Sequence, residues 1–214
     1  MKIVSVILAR GGSKGIPKKN LLDINGKPLI QFSIDASQSS QVNDTWVSTD
    51  CKQIKAVALS LRAKVLDRPE ELSSDIASSE GALLHFSHIV DFDILVFIQP
   101  TSPLIQSNDI NKGLDLLLNS SHKYDSVFSC YKEHWIPRWS LDIKPSQWDI
   151  QNRPRRQDMP EKLVENGALY ITTKQQLLDS KLRYGGNIGY IEMPMDRSFQ
   201  IDTLDDLKLI KKLL

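Results

Sequence analysis

The sequence predicts an α/β fold: a three-layer α/β/α sandwich around a mostly parallel sheet. Three observations predict it. Short β-branched runs alternate along the chain with segments whose apolar residues recur at helical spacing. The runs at 2–8 and 93–98 are apolar at nearly every position, as in strands covered on both faces. At 214 residues the chain can bury roughly 70% of the surface it exposes when unfolded, enough for one core without staples.

The elements follow in order. Residues 2–8 (KIVSVIL) form the first strand, and a Gly/Lys/Pro loop runs on through Asn20. Pro28 suits the first position of a helix that carries Leu29, Ile30, Phe32, Ile34 and Ala36. Residues 45–49 read as a second strand, after which Ile54, Val57, Ala58 and Leu61 recur at helical spacing. Residues 64–66 make a third short strand. A helix near 78–90 precedes the strand at 93–98. Ile110, Leu114, Leu117 and Leu118 mark another helix, and 126–131, 167–172 and 187–193 are further strands. A helix over 203–214 closes the chain. Thr203 is its N-cap, and Asp205 and Asp206 lie in the first turn, where the helix dipole favours acids.

The rhythm breaks at 132–162. Trp135, Trp139 and Trp148 stand there among Pro137, Pro145, Pro154 and Pro160, with no helical period. The segment is expected as irregular hairpin structure projecting from the sheet, inserted within a single domain over 1–214. Its tryptophans fit either a partner surface or a local mini-core.

A net charge of +1 excludes a long nucleic-acid strand as the expected partner. The positive charge is local: Lys14, Lys18 and Lys19 crowd one loop, and Arg153, Arg155 and Arg156 another, which suits a small polyanion. The cysteines, Cys51 and Cys130, are too few for a disulfide framework and match no metal spacing. His85, His88, His122 and His134 have no ligand spacing with them. The first apolar run stops at Ala9-Arg10-Gly11 without a cleavage pattern, and no stretch approaches the ~20 apolar residues of a membrane span. A soluble, cytoplasmic protein without a membrane partner is expected.

Ala9-Arg10-Gly11-Gly12-Ser13-Lys14-Gly15 directly follows the first strand. Glycines let consecutive N–H groups converge on an anion while Arg10, Lys14 and Lys19 supply charge. The spacing fits neither the phosphate loop G-x-x-x-x-G-K-[ST] nor a G-x-G-x-x-G dinucleotide turn. Gln99-Pro100-Thr101-Ser102-Pro103 sits after the strongest strand, where an amide and two hydroxyls can pair with a polyol. Arg153, Arg155 and Arg156 can bind carboxylates or phosphates. Asp202, just before the last helix, is a candidate hard-cation ligand, since magnesium prefers one or two carboxylates plus substrate phosphates.

Taken together, ARGGSKGIPKKN at 9–20, RPEELSSDIASS at 68–79, QPTSPL at 99–104, RPRRQD at 153–158, ENGALY at 165–170 and IDT at 201–203 resemble the acylneuraminate cytidylyltransferases. The resemblance spans nearly the whole chain. It implies a Rossmann-like α/β fold, a small dimerisation extension at about 132–162, a homodimer, and magnesium-dependent transfer of CMP from CTP to an acidic nine-carbon sugar. It assigns Ala9, Arg10, Gly11, Gly12, Ser13, Lys14, Lys19 and Asn20 to the CTP phosphates and nucleotide, Arg68 to the nucleotide, and Ser79 to the base and ribose. Gln99, Thr101, Arg156, Asn166 and Gly167 fall to the sugar. Arg138, on the extension, would reach the partner subunit's site, and Asp202 would bind Mg2+. Arg10, Lys14, Lys19 and Asp202 would carry catalysis.

Three positions depart from the family pattern. Many relatives carry an Asp-x-Asp pair before the last helix, where this chain has Gln200 and Asp202. Ile105 and Val164 stand where some relatives carry arginines. The choice among sialic, legionaminic, pseudaminic and deoxy-nonulosonic acids stays open, as does a non-catalytic nucleotide-binding homologue, which Gln200 favours. One electrostatic condition underlies the reading: the cationic loop and Asp202 must close on a common cleft.

Overall fold

The structure, a computed structural model, describes residues 1–13 and 15–214. Its elements run β1 (Ile3–Leu8), a small hairpin of β2 (Asp23–Ile24) and β3 (Lys27–Pro28), α1 (Leu29–Gln38), β4 (Asp44–Thr49), α2 (Lys52–Ser60) and β5 (Lys64–Asp67). They continue as α3 (Ser79–Ile89), β6 (Ile94–Ile98), α4 (Ser107–Asn119), β7 (Ser126–Glu133), and a second hairpin of β8 (Arg138–Trp139) and β9 (Pro145–Ser146). The last four are β10 (Lys162–Thr173), α5 (Lys174–Ser180), β11 (Ile188–Glu192) and α6 (Leu204–Leu213).

Seven strands form one sheet in the order β11-β7-β10-β6-β1-β4-β5. All neighbouring pairs are parallel except the two that β10 makes with β6 and β7. The mostly parallel three-layer sandwich predicted from the sequence is therefore the fold.

Alternate residues of the central strands feed two separate cores, which is why these strands are apolar throughout. Ile7, Val96 and Ile98 pack with Ile34, Ile54, Ile110 and Leu114, so α1, α2 and α4 cover one face. Val4, Val6, Leu95 and Phe97 pack with Leu83, Phe86 and Leu177, so α3 and α5 cover the other. Each such fully buried aliphatic or aromatic side chain contributes about 1.5–3 kcal/mol. A third cluster, Ile16, Ile24, Leu29, Leu104, Ile201 and Ile210, ties the loop after β1 to α6. Among the described residues no helix is long and apolar enough to cross a membrane.

Several boundaries differ from expectation. Pro28 pairs in the β2–β3 hairpin and stands just before α1 in extended geometry, so the helix begins at Leu29 rather than at the proline. Strand β10 begins at Lys162, five residues earlier than predicted, because its first half pairs with the outer part of β7. Helix α5 was not anticipated. Thr203 caps α6 as predicted, in a capping box closed by Asp206.

At 132–162, Trp148 meets Trp139 and Trp135 edge-on at 5.0 and 6.4 Å. Its indole N–H donates to the Arg138 carbonyl (3.1 Å). The three tryptophans thus contact one another within the chain, while Trp139 stays about half exposed. Ile136, Leu141, Ile143 and Ile150 remain exposed on the same segment.

Candidate active site

Because β1, β4, β5 and β6 are parallel, the loops that follow them all leave from one edge of the sheet. Ligands bind at this carboxyl edge in open α/β sheets. A cleft of about 300 Å³ opens there, lined among others by Arg10, Ser13, Lys19, Ser79, Gln99 and Thr101. A second lobe of about 280 Å³ lies beyond Arg10 and Ser79, with Arg68 and Asp75 in its wall.

The loop after β1 is held from several sides. Ala9 is buried, and its N–H donates to the Ser48 carbonyl (3.0 Å). The Gly11 N–H donates to Asp50 Oδ1 (2.9 Å), and a Cβ at Gly11 would lie 2.9 Å from that of Cys51, so the turn between β4 and α2 approaches too closely for a side chain. Arg10 donates to the Ser74 carbonyl (2.7 Å) and pairs with Asp75 (3.2 Å). Asn20 is buried, its amide donating to the Arg10 carbonyl (3.0 Å). It braces the loop from behind while lining the cleft. No described residue comes within 4 Å of a Cβ placed on Gly12. Lys14, assigned to the phosphates and to catalysis, lies outside the described residues.

The C-terminal carboxylate closes on this loop. Lys19 Nζ donates to Asp202 Oδ1 (2.9 Å) and to the Ile201 carbonyl (3.0 Å). A Cβ at Gly15 would lie 2.7 Å from the Asp202 carbonyl oxygen. Ile201 is buried, and its N–H donates to the Thr101 carbonyl (2.8 Å), so one short segment fastens two walls of the cleft. Asp202 itself is 65% exposed on its side chain. Capping of α6 is left to Asp206, whose carboxyl is held below the usual range by the Thr203 hydroxyl and the N–H groups of Asp202 and Thr203. Asp202 is thus brought to the cationic loop through Lys19, a residue of the cleft wall.

Arg68 and Ser79 define the other lobe. Arg68 is 8% exposed and donates to the Ser48 carbonyl (3.2 Å), while its Nε has no partner among the described residues. Burial lowers its pKa, with Asp50 opposing and Arg10 adding to the shift. The guanidinium is thus a buried charge in the wall of the second lobe, with one donor that no described residue takes up. Ser79 is the first residue of α3 and borders both lobes.

The bulge in β10 lies behind Gln99. Register between β10 and β7 shifts between Glu165 and Tyr170, and Gly167 takes φ +68°. The Asn166 carboxamide is consumed inside: its oxygen accepts from Ser129 Oγ (2.6 Å) and the Ala168 N–H (3.2 Å). Its nitrogen meets Ser198 Oγ (3.0 Å) and Met193 Sδ (3.3 Å). Asn166 thus shapes the wall. A Cβ at Gly167 would lie 3.7 Å from Gln99 Oε1, and the Gln99 N–H donates to the Ala168 carbonyl (3.1 Å). The Gln200 amide, which sequence reasoning treated only as a missing acid, donates to the Asn166 carbonyl.

Arg138 and Arg156 are not brought to the cleft within one chain. Arg138 is exposed and bonded to both Glu133 oxygens (2.9 Å each). Arg156 is exposed beside Trp135, Ile136 and Pro137 on a separate depression. The expectation that Arg156 shares a pocket with Asn166 and Gly167 is therefore not met inside a single subunit. The histidines and cysteines assemble no metal cage among the described residues. Cys51 and Cys130 are free thiols.

Fold and cleft together define an α/β protein with a cationic cleft at the carboxyl ends of its parallel strands. The family model described as cytidylyltransferase matches residues 4–213, and the chain belongs to that family. It is 39% identical to N-acylneuraminate cytidylyltransferase B of Danio rerio over 93% of this chain and 48% of the relative. A Streptococcus agalactiae N-acylneuraminate cytidylyltransferase is 34% identical over 96% of this chain and 52% of its own length. The chain thus spans about half the length of these curated relatives. The pseudaminic acid cytidylyltransferase of Campylobacter jejuni is of similar length, 31% identical over 99% of this chain and 95% of the relative. In fold, the chain is similar to a CMP:2-keto-3-deoxy-manno-octonic acid synthetase solved with CTP, at TM-score 0.74 and 22% identity, covering 100% and 98% of the two chains.

Proposed function

We propose that this protein transfers CMP from CTP to the anomeric hydroxyl of a nonulosonic acid, sialic acid or a relative, and releases pyrophosphate. One observation carries the reading: the loop after β1 and the Gln99–Thr101 turn line a single cleft, and Lys19 in its wall pairs with Asp202. The family and its named relatives give that cleft its chemistry.

Within this reading the Arg68 lobe takes the base and ribose, and the loop at 9–20 takes the phosphates. Gln99 and Thr101 take the sugar. The hydroxyl oxygen attacks the α-phosphorus as the bond to the bridging oxygen breaks. Arg10 and Lys19 neutralise charge on the departing pyrophosphate, and Lys14 adds to them by its place in the motif. Positioning and charge neutralisation supply most of the catalysis in such transfers. An exposed carboxylate at the mouth of a phosphate cleft fits Mg2+, which takes one or two carboxylates and completes its shell with phosphate oxygens and water. Asp202 would hold it. Bound there, the ion would supply charge stabilisation to the phosphates.

The same reading makes the protein a cytoplasmic homodimer, joined through the extension at 132–162, with Arg138 of one copy serving the other's cleft. The exposed Ile136, Leu141, Ile143 and Ile150 support that role. The C. jejuni relative of matching length favours pseudaminic acid as a second acceptor to try.

The test is incubation with CTP, Mg2+ and a panel of nonulosonic acids, with products identified by mass. A CMP-sugar and pyrophosphate are expected with at least one acceptor. CTP binding without pyrophosphate release from any of them would overturn the proposal.

A further inference from the structure

We propose that Gln200 is a positioning residue for the acceptor sugar: its amide locks the Asn166–Gly167 bulge behind Gln99 and takes no part in binding metal. The inference rests on the function proposed above. Gln200 is half-buried, and its Nε2 donates to the Asn166 carbonyl oxygen. A carboxylate in that place would set acceptor against acceptor, so an amide there serves a purpose that a metal-binding acid cannot. The bulge has no slack. Gly167 stands at φ +68°, and a Cβ on it would overlap the Gln200 amide. Asn166 is fastened from the interior by Ser129, Ala168, Ser198 and Met193. Gln200 fastens its backbone carbonyl.

What the bulge supports is Gln99. The Gln99 N–H donates to the Ala168 carbonyl (3.1 Å), and Gln99 Oε1 lies 3.7 Å from the place where a Gly167 Cβ would stand. The segment 200–202 therefore divides its work. Its first residue steadies the acceptor wall. Its third pairs with Lys19 at the phosphate loop. A loss at Gln200 should be felt by the sugar and not by CTP or the cation.

The experiment compares the parent with Gln200→Ala, which removes the donor, and Gln200→Glu, which keeps the shape and reverses the polarity. Pyrophosphate release is measured with CTP, Mg2+ and either N-acetylneuraminic acid or pseudaminic acid. Both variants should raise the acceptor KM about three- to ten-fold, the effect of one net hydrogen bond. The CTP KM and the Mg2+ concentration for half-maximal rate should hold. Hydrogen exchange over 164–169 should quicken in both, which reports the contact independently of turnover and also shows that each variant is folded. An unchanged acceptor KM in both variants, or a lowered Mg2+ requirement in Gln200→Glu, would overturn the inference while leaving the parent's function intact. A parent that turns over no nonulosonic acid would instead sink the function, and this inference with it.

Discussion

Lys19 donates to the carboxylate of Asp202 at 2.9 Å across 183 residues of sequence. The same ammonium takes the Ile201 carbonyl at 3.0 Å, so it is fixed by two oxygens and its direction is set before any ligand arrives. In the proposed reaction, a cation held ready beside the phosphates has little to reorganise, which is the source of electrostatic catalysis.

Lys19→Met and Asp202→Asn are accordingly expected to cost roughly 10²–10³ in kcat, the usual loss for one stabilising group. Stability should hardly change. Asp202 is largely exposed, and such pairs contribute about 0–1 kcal/mol, so Tm should fall by no more than about 4 °C in a domain of this size. Steady-state kinetics and a thermal melt on the same samples check both halves. A large drop in Tm with kcat retained would make the pair a structural clamp only.

Arg68 makes the opposite combination. Its guanidinium is buried, its pKa lowered by that burial, and its Nε lacks a partner among the described residues. Burying a charge without full pairing is costly. Arg68→Met should leave Tm unchanged or higher, yet raise the CTP KM by roughly 10- to 150-fold, the loss of one charge-assisted hydrogen bond. Urea unfolding together with CTP saturation curves decides it. A variant that melts early and binds CTP normally would contradict the assignment.

Legibility in the sequence followed the physics of each element. Residues 94–98 are buried on both faces and announce themselves by apolar content alone. The cap of α6 is a local pattern, Thr203 with Asp206, and is readable for that reason. Residues 162–165 carry no burial alternation, being mostly exposed on an arm paired with outer β7; their strand is set by pairing, which leaves no mark on composition. Helix α5 is seven residues long with Leu177 as its one buried side chain, too little for a period to show. The meeting of Lys19 with Asp202 was open to inference because motif order carried it. The grip of Gln200 on Asn166 was not, since a contact 34 residues apart has no signature in spacing.

Two glycines give a paired prediction on stability. Gly167 combines φ +68° with overlap of any Cβ onto the Gln200 amide. Gly167→Ala should lose about 1–3 kcal/mol, the range for a non-glycine residue forced into such backbone. No described residue comes within 4 Å of a Cβ at Gly12, so Gly12→Ala should stay within about 0.5 kcal/mol of the parent. Denaturant midpoints at equal m-value measure both. Equal midpoints for the two variants would show that the bulge relaxes at no cost.

The pair of Glu80 and Arg183 predicts how the fold responds to acid. Arg183 Nε donates to Glu80 Oε1 (2.6 Å), and its guanidinium stacks over Tyr170 and Phe97 at 5.0 and 5.5 Å. Burial by itself would raise the Glu80 carboxyl; the hydrogen bond and charge of Arg183 outweigh it and hold the group below its ordinary value. A carboxyl depressed in the folded state stabilises the fold fully above the unfolded value of about 4.3. That contribution fades as pH falls below it toward the folded pKa. Glu80→Gln should therefore melt below the parent at pH 7, and the gap should shrink as pH drops from about 5 toward 3. Parallel melts of both proteins across that range provide the measurement. A gap that stays constant through the acid limb would mean that packing of the Glu80 stem, rather than its charge, holds α3 to the loop carrying Arg183.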